Sequence, residues 1–375
     1  MRIAVIGGGL GGIPVGILLQ RAGHDVTVYE QASKLERIGA GIHLFPNAGK
    51  VLQELGLFDR LANVGLVPDR MWHREWDTGK VTFEVRMDRF LKLFGVPHLI
   101  IHRGDLVEIL ASGLETGSFV FGKRLIGFED DGRMVSLSFS DGSNSEAEIV
   151  IGADGINSVI RATLLGPEQP TYTGHVAHRA IFPIERLGDL KIADATKWWA
   201  DDRYFLAYFP NAAKDEIYFV TGVPEIWRND NFAPIATNMD TLLDAFQGFH
   251  PEVQEIVKAA IGCMTWPVLY RDPNPLWSQG RVVVLGDACH PMKPHMGQGA
   301  AMAMEDAVVL ARCIGHYPEE HIASAFALYR STRYDRTKRI KLESDKHEWM
   351  RHGSEADWVF GYEAAKAPLR DSSEI

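Results

Sequence analysis

Residues 2–30 restrict this chain to few architectures. Ile3, Ala4, Val5 and Ile6 form a continuous apolar run that leads directly into Gly7-Gly8-Gly9-Leu10-Gly11-Gly12. A short run of this kind reads as a strand buried on both faces. Residues 13–22 then carry Ile13, Ile17 and Leu18 at helical spacing, Gly23 ends the helix, and residues 25–30 (DVTVYE) read as a second strand. Strand, glycine turn, helix and strand make one βαβ unit, whose two strands run parallel. Gly7, Gly9 and Gly12 have GxGxxG spacing at the strand-to-helix turn, and Glu30 closes the second strand, which is the context a dinucleotide fingerprint needs. Gly7 permits the tight turn and Gly12 close helix–strand packing. Gly9, followed by Leu10, lets the backbone approach a pyrophosphate where unpaired N–H groups favour anions. Glu30 would accept hydrogen bonds from an adenosine ribose. The sequence shows one such fingerprint, so one dinucleotide is expected to be held firmly, and a second to visit without a fold of its own.

A chain of 375 residues exceeds what one core usually spans, so two interleaved domains are expected. The net charge of −10 gives no general attraction to nucleic acid or anionic lipid, and neither is expected as a partner. Cys263, Cys289 and Cys313 contain no CxxC pair and do not read as a disulfide framework. With no secretory pattern and no apolar run of about 18 residues, the expectation is a soluble, cytoplasmic protein, monomeric or homodimeric.

Further along, residues 48–61 read as one amphipathic helix, 72–85 as strands around an Asp77-Thr78-Gly79 turn, and 103–114 as a helix. Residues 118–149 read as a β-meander, and 149–152 as a buried strand. Between 171 and 267 the chain becomes aromatic-rich, with strands at 197–209 and 216–223 joined by a hairpin at 210–215, then helices at 241–249 and 252–261. A strand at 281–285 leads into Gly286-Asp287 and a helix at 299–313. Residues 323–350 form a long helix whose many Arg and Lys residues read as a solvated face. The Ser372-Ser373 tail is expected to fray.

Two further motifs carry a resemblance. Ile151-Gly152-Ala153-Asp154-Gly155 is followed by Ser158 and Arg161. Gly286-Asp287-Ala288-Cys289-His290-Pro291 continues through Pro294 and Gly297-Gln298-Gly299 to Glu305-Asp306-Ala307. With the N-terminal fingerprint, these three motifs in this order resemble the class A flavoprotein aromatic hydroxylases, single-component FAD-dependent monooxygenases. The resemblance covers residues 2 to about 350. It implies tightly bound, non-covalent FAD, with NADH or NADPH as a transient reductant and O2 as co-substrate. It places Asp154 and Asp287 at the cofactor, Asp287 on the ribityl chain. Pro294, Gly297, Gly299 and Ala300 come near the flavin ring, where a helix N-terminus can stabilise negative charge on the reduced flavin. Arg103 and Arg37 match arginines that contact FAD or lie near the flavin; a surface salt bridge is the alternative for each. The family often has Asn after the Gly-Gln-Gly stretch, where this chain has Ala300-Ala301-Met302.

The fold implied is α/β: a Rossmann-like FAD-binding domain (1–70, 99–172 and 275–320) interleaved with a β-sheet substrate domain (71–98 and 173–274), followed by a C-terminal helical segment (321–375). Within the family, the stretches 39–50, 101–106, 122–125, 174–180, 197–199, 218–224 and 286–300 are similar to members that hydroxylate a 6-hydroxynicotinate-type acid with decarboxylation. That likeness implies His43, Tyr208 and His295 as catalytic residues, with Tyr204 and Ala195 standing where those members carry His and Cys. Strand alternation puts Tyr204, Leu206 and Tyr208 on one face, so they can line one pocket; a Tyr-rich core sheet and structural histidines are the alternatives. The expected substrate is a hydroxylated aromatic or pyridine carboxylic acid. His43 or Tyr208 would draw the proton from its ring hydroxyl, and His295 would hold the carboxylate or hydroxyl. No metal is expected, because no Cys or carboxylate set completes a site around His290 and His295. The rival readings are a same-fold monooxygenase for a larger or different substrate, of salicylate or antibiotic type, and a flavoprotein without enzymatic activity.

Overall fold

The unit at residues 2–30 folds as its pattern requires. In this computed structural model, which describes residues 1–37, 40–229, 232–272, 274, 276–346 and 357–370, strands Arg2–Ile6 and Asp25–Tyr29 pair in parallel, and helix Gly12–Arg21 joins them. Among the described residues they lie inside a six-stranded sheet ordered Ser278–Gln279, Val282–Val284, Ile149–Gly152, Arg2–Ile6, Asp25–Tyr29, Phe119–Val120. Ile6 stands opposite Gly152, and Gly152 opposite Val284, both in parallel register. The three strands come from stretches more than a hundred residues apart, yet their C-terminal ends lie side by side. The turns at Gly7, Ala153-Asp154-Gly155 and Gly286-Asp287 therefore leave one edge of one sheet. In a parallel sheet that edge is where ligands bind.

A second sheet faces this edge. Among the described residues it has eight strands, ordered Ile235–Ala236, Met264–Tyr270, Thr171–Pro183, Glu216–Pro224, Tyr204–Tyr208, Ala195–Trp199, Arg70–Glu75, Val81–Arg86. Its two faces are chemically distinct. Trp198, Phe205, Ala207 and Phe219 point to a core shared with helices Met239–Ala245 and Pro251–Ala259. The alternate residues Lys197, Tyr204, Leu206, Tyr208 and Tyr218 line a cavity on the other side.

The structure changes several local readings. Residues 48–61 belong to two helices, Pro46–Glu54 and Phe58–Val64, separated at Gly56, whose φ of +66° ends the first. Residues 197–209 are not one strand. Ala195–Trp199 and Tyr204–Tyr208 form a hairpin with Trp199 opposite Tyr204, and the turn falls at Asp201-Asp202, where Ala200 donates its N–H to the Arg203 carbonyl at 3.0 Å. Phe119–Val120 joins the six-stranded sheet, leaving Leu125–Asp130, Val135–Phe139 and Asn144–Ala147 as the meander. The solvated-face reading of the long helix fails at its centre. The helix spans Ile322–Asp345, and Arg333 on it is wholly buried against Glu305 and Asp306. Residues 347–350, Ser372 and Ser373 lie outside the described residues. The three cysteines are free and buried, and no helix among the described residues is long and apolar enough to cross a membrane.

Candidate active site

At the glycine turn, packing explains two of the three fingerprint glycines. Gly7 has φ +109°, and a Cβ there would collide with the Ala153 carbonyl; a Cβ on Gly12 would collide with the Gly7 carbonyl. Gly9 differs: a Cβ there would meet nothing within 4 Å, because the residue faces open space. Glu30 accepts the Gly8 N–H at 2.9 Å and the Ala32 N–H at 2.8 Å, so its carboxylate braces the turn while lining the cleft.

That open space is a two-lobed cleft. One lobe, of about 590 Å³, is walled by Gly7, Gly9, Glu30, Arg37, Arg103 and Asp154. The other, of about 500 Å³, reaches Leu10, Asp287, Pro294, Gly297, Gly299, Ala300 and the face of the eight-stranded sheet. Gly9, Arg103, Ala153 and Gly155 border both lobes, so the cleft is continuous. Its shape suits an extended dinucleotide with the pyrophosphate at the waist. The polar groups fit as well. Asp154 accepts the Val159 N–H at 2.8 Å through Oδ2, whereas its Oδ1 is buried without a partner. Asp287 opens on the cavity floor, where enclosure by protein raises its carboxyl pKa and His290 and Arg103 oppose the rise. The helix Gly299–His316 presents its N-terminus to the same lobe, after a turn in which Gly297 takes φ +63°. Gly39 lies outside the described residues. Arg37 is placed on the other lobe, away from His43, and its guanidinium is committed to Asp105 at 2.9 Å and Glu216 at 2.7 Å; the salt-bridge alternative describes it.

The second lobe gathers His43, Tyr204, Leu206, Tyr208 and His295. His43, on strand Gly41–Leu44, meets the ring of Tyr208 edge-on at 4.4 Å. Its Nδ1 lies 2.9 Å from Nε2 of His98, and its Nε2 is buried without a partner. Burial, with help from the Lys197 charge, pulls the His43 pKa down to about 3, so its imidazole is neutral. Burial pushes Tyr208 well above its ordinary value and Tyr204 up to about 12, so both phenols stay protonated. The Tyr204 and His295 rings meet edge-on at 6.2 Å. Ala195 is not brought to the cavity wall. It is fully buried behind Tyr208, its partner in the strand register.

Sequence reasoning passed over Lys197, Arg179, His73, His98 and Tyr218. All but His98 line the lobe, and His98 stands behind His43 in an aromatic box with Phe45 and Phe90. A usable signal existed for Lys197: a lone charge in an otherwise uncharged strand, two residues from Trp199. The expectation about metal ligands also needs correction. A carboxylate does stand beside His290, and Cys289, His290 and Asp306 form a buried cluster. Its carboxylate and thiol are hydrogen-bonded within the protein, however. Asp306 pairs with His290 at 2.5 Å and Arg333 at 2.7 Å and accepts the Gly286 N–H at 3.0 Å, while Cys289 donates to the Gly286 carbonyl at 3.4 Å. The cluster is a hydrogen-bonded brace beneath the Gly286-Asp287 turn.

The model of the FAD-binding domain family matches residues 1–341 of the chain. The chain belongs to this flavoprotein family. The flavoprotein is 45% identical over 373 residues to 6-hydroxynicotinate 3-monooxygenase of Pseudomonas fluorescens, covering 98% of this chain and 96% of the relative. It is 34% identical over 343 residues to 3-amino-4-hydroxybenzoate 2-monooxygenase of Streptomyces cremeus, covering 91% and 85%. Among solved structures it is similar to Klebsiella pneumoniae HpxO complexed with FAD and uric acid, with a TM-score of 0.83 and 27% identity, over 97% of this chain and 96% of that one. FAD is the cofactor of this flavoprotein, and the residues that wall the two-lobed cleft fit it.

Proposed function

We propose that this flavoprotein hydroxylates a small hydroxylated aromatic or pyridine carboxylic acid of the 6-hydroxynicotinate type, with loss of the carboxylate as CO2. NADH or NADPH would serve as a transient reductant. One oxygen atom of O2 goes to the ring carbon and the other leaves as water. The observation that carries this reading is the lining of the second lobe. Beside the cofactor cradle it holds neutral His43 and protonated Tyr204 and Tyr208, together with Arg103, Arg179, Lys197 and Lys293 against one carboxylate, Asp287. In a chain of net charge −10, a cationic, aromatic cavity selects an anionic aromatic ligand. The activities of the two relatives point the same way. In this reading the six-stranded sheet would hold FAD, and the eight-stranded sheet would wall the substrate.

Bound FAD supplies the redox chemistry and the activated oxygen; the chain's own residues place the substrate and manage its proton. With Nδ1–H donated to His98, His43 would keep the lone pair on Nε2, which has no protein partner, to take the proton of the ring hydroxyl. Tyr208 keeps its proton and acts as a hydrogen-bond donor to the same oxygen. His295 orients the substrate from the opposite wall. Enclosure between the two sheets keeps bulk water away.

The direct test is turnover. The purified protein should be yellow, oxidise NADH slowly alone, and oxidise it faster with 6-hydroxynicotinate. Carboxyl-labelled substrate should release labelled CO2. A labelled product that keeps its carboxyl removes decarboxylation, and no response to any small hydroxyaromatic acid removes the substrate class.

A further inference from the structure

Lys197 is a buried cation facing the substrate lobe. It is 6% exposed, on strand Ala195–Trp199, and its ammonium lies 3.7 Å from the ring centroid of Trp199 and 4.0 Å from that of Tyr204. Two histidines that feel its charge are neutral. The Trp199 indole N–H is donated to His73 at 2.9 Å, and burial and the Lys197 charge hold both His73 and His43 near pKa 3. Among the described residues no ion pair reaches Lys197. A buried ammonium set against ring faces, with no carboxylate paired to it, is costly to maintain.

The other three basic residues of the lobe differ. Arg103 stands at the waist of the cleft within the fields of Glu30 and Asp287. Lys293 pairs with Asp345 at 3.5 Å. Arg179 is half-buried and lies over Trp266 at 5.4 Å. Lys197 alone combines full burial, a cavity-facing position and no acidic counterpart.

We infer that Lys197 is the carboxylate-binding residue of this site, pairing with the acid group of the substrate and so selecting aromatic acids over their neutral analogues. The inference rests on the substrate class proposed above. It gives the eight-stranded sheet a specificity role that neither tyrosine can fill, since both are neutral donors. It also links binding to chemistry. The Lys197 charge helps to depress the basicity of His43, and a carboxylate on Lys197 would offset that charge as the substrate arrives.

The experiment uses the FAD-loaded protein and reads ligand binding through the visible absorption of the flavin. Two matched pairs are titrated: 6-hydroxynicotinate against 2-hydroxypyridine, and benzoate against benzamide. In K197M the acids should bind about 30-fold or more weakly, the range for removing one partner of a buried charge pair, while the neutral members shift by less than about 3-fold on the same scale. K197R should recover part of the preference for acids. FAD content and melting temperature check the fold, and K197Q supplies the same comparison should the methionine variant lose its flavin. The inference is overturned if the variants keep the wild-type preference, if acid and neutral ligands weaken equally, or if the wild-type protein shows no preference. Should the variants lose acid preference while the wild-type protein forms no hydroxylated product, Lys197 keeps its role and the hydroxylation reading falls.

Discussion

Replacing Arg333 with methionine is expected to destabilise the protein by about 3–5 kcal/mol, the range for stranding a buried charge, and to lower its FAD content. Arg333 is wholly enclosed on the helix Ile322–Asp345. It donates to Glu305 and to Asp306, each at 2.7 Å, and both carboxylates are fully buried. Arg336 also bonds Glu305 at 2.8 Å, so Glu305 would keep one cation. Asp306 would keep only His290 and the Gly286 N–H. The penalty falls on the Gly286-Asp287 turn, hence on the cofactor.

The pH dependence has a definite sign. His290 and Arg333 hold the Asp306 pKa at about 2 against the cost of burial, below its ordinary 3.8. A carboxyl depressed on folding adds stability that is fully present above about pH 4 and is lost as the pH falls towards 2. In the variant this contribution shrinks, so the gap from wild type should be widest at neutral pH and narrow in acid. Urea unfolding at pH 7 and at about pH 2.5 measures it. Lys338→Met, an exposed change on the same helix, is the control and should stay within about 0.5 kcal/mol of wild type. A loss of under about 1 kcal/mol in the Arg333 variant would show that the buried triad is not what holds the turn.

Arg333 also shows where the sequence stops being legible. A helix dense in Arg and Lys reads as solvated because composition reports average exposure, and nothing local marks one arginine as the partner of acids 27 and 28 residues earlier. The βαβ unit at residues 2–30 was readable because its strand, turn, helix and second strand are adjacent and each has its own period. The motifs at Asp154 and Asp287 were readable as strings. Their convergence was not, since it depends on the parallel pairing of Ile149–Gly152 with both Arg2–Ile6 and Val282–Val284. On the substrate side one turn made the difference. Reading 197–209 as a single strand hid the break at Asp201-Asp202. With the turn in place, Lys197 pairs with Leu206 and joins the face of Tyr204 and Tyr208. Ala195 faces the same way in that register, yet lies too deep behind Tyr208 to reach the cavity. His98 had no local signature, because its role depends on strand Leu99–His102 pairing with Gly41–Leu44.

For His43→Gln, turnover with the preferred acid should fall by about 10²–10⁴-fold, the usual worth of a placed general base, with FAD still bound. His43 is the one group of the proposed His43–Tyr208 pair that can accept a proton at neutral pH. Its imidazole is neutral, and its Nε2 has no protein partner. Tyr208, pushed well above its ordinary pKa, can only donate, so Tyr208→Phe should cost less than His43→Gln. The pH profile separates the groups further. With a pKa near 3, His43 adds no limb between pH 5 and 9 in the free enzyme. Lys197, pulled down to about 7 by burial, does: it is cationic below that value, so apparent affinity for the acid should weaken as the pH rises through it. That limb should persist in the His43 variant and vanish in K197M. Steady-state rates at saturating substrate, with KM followed across pH 5.5–9, test both assignments together. Loss of flavin from His43→Gln would make the residue structural, and a larger loss in Tyr208→Phe would move the proton-accepting role away from the imidazole.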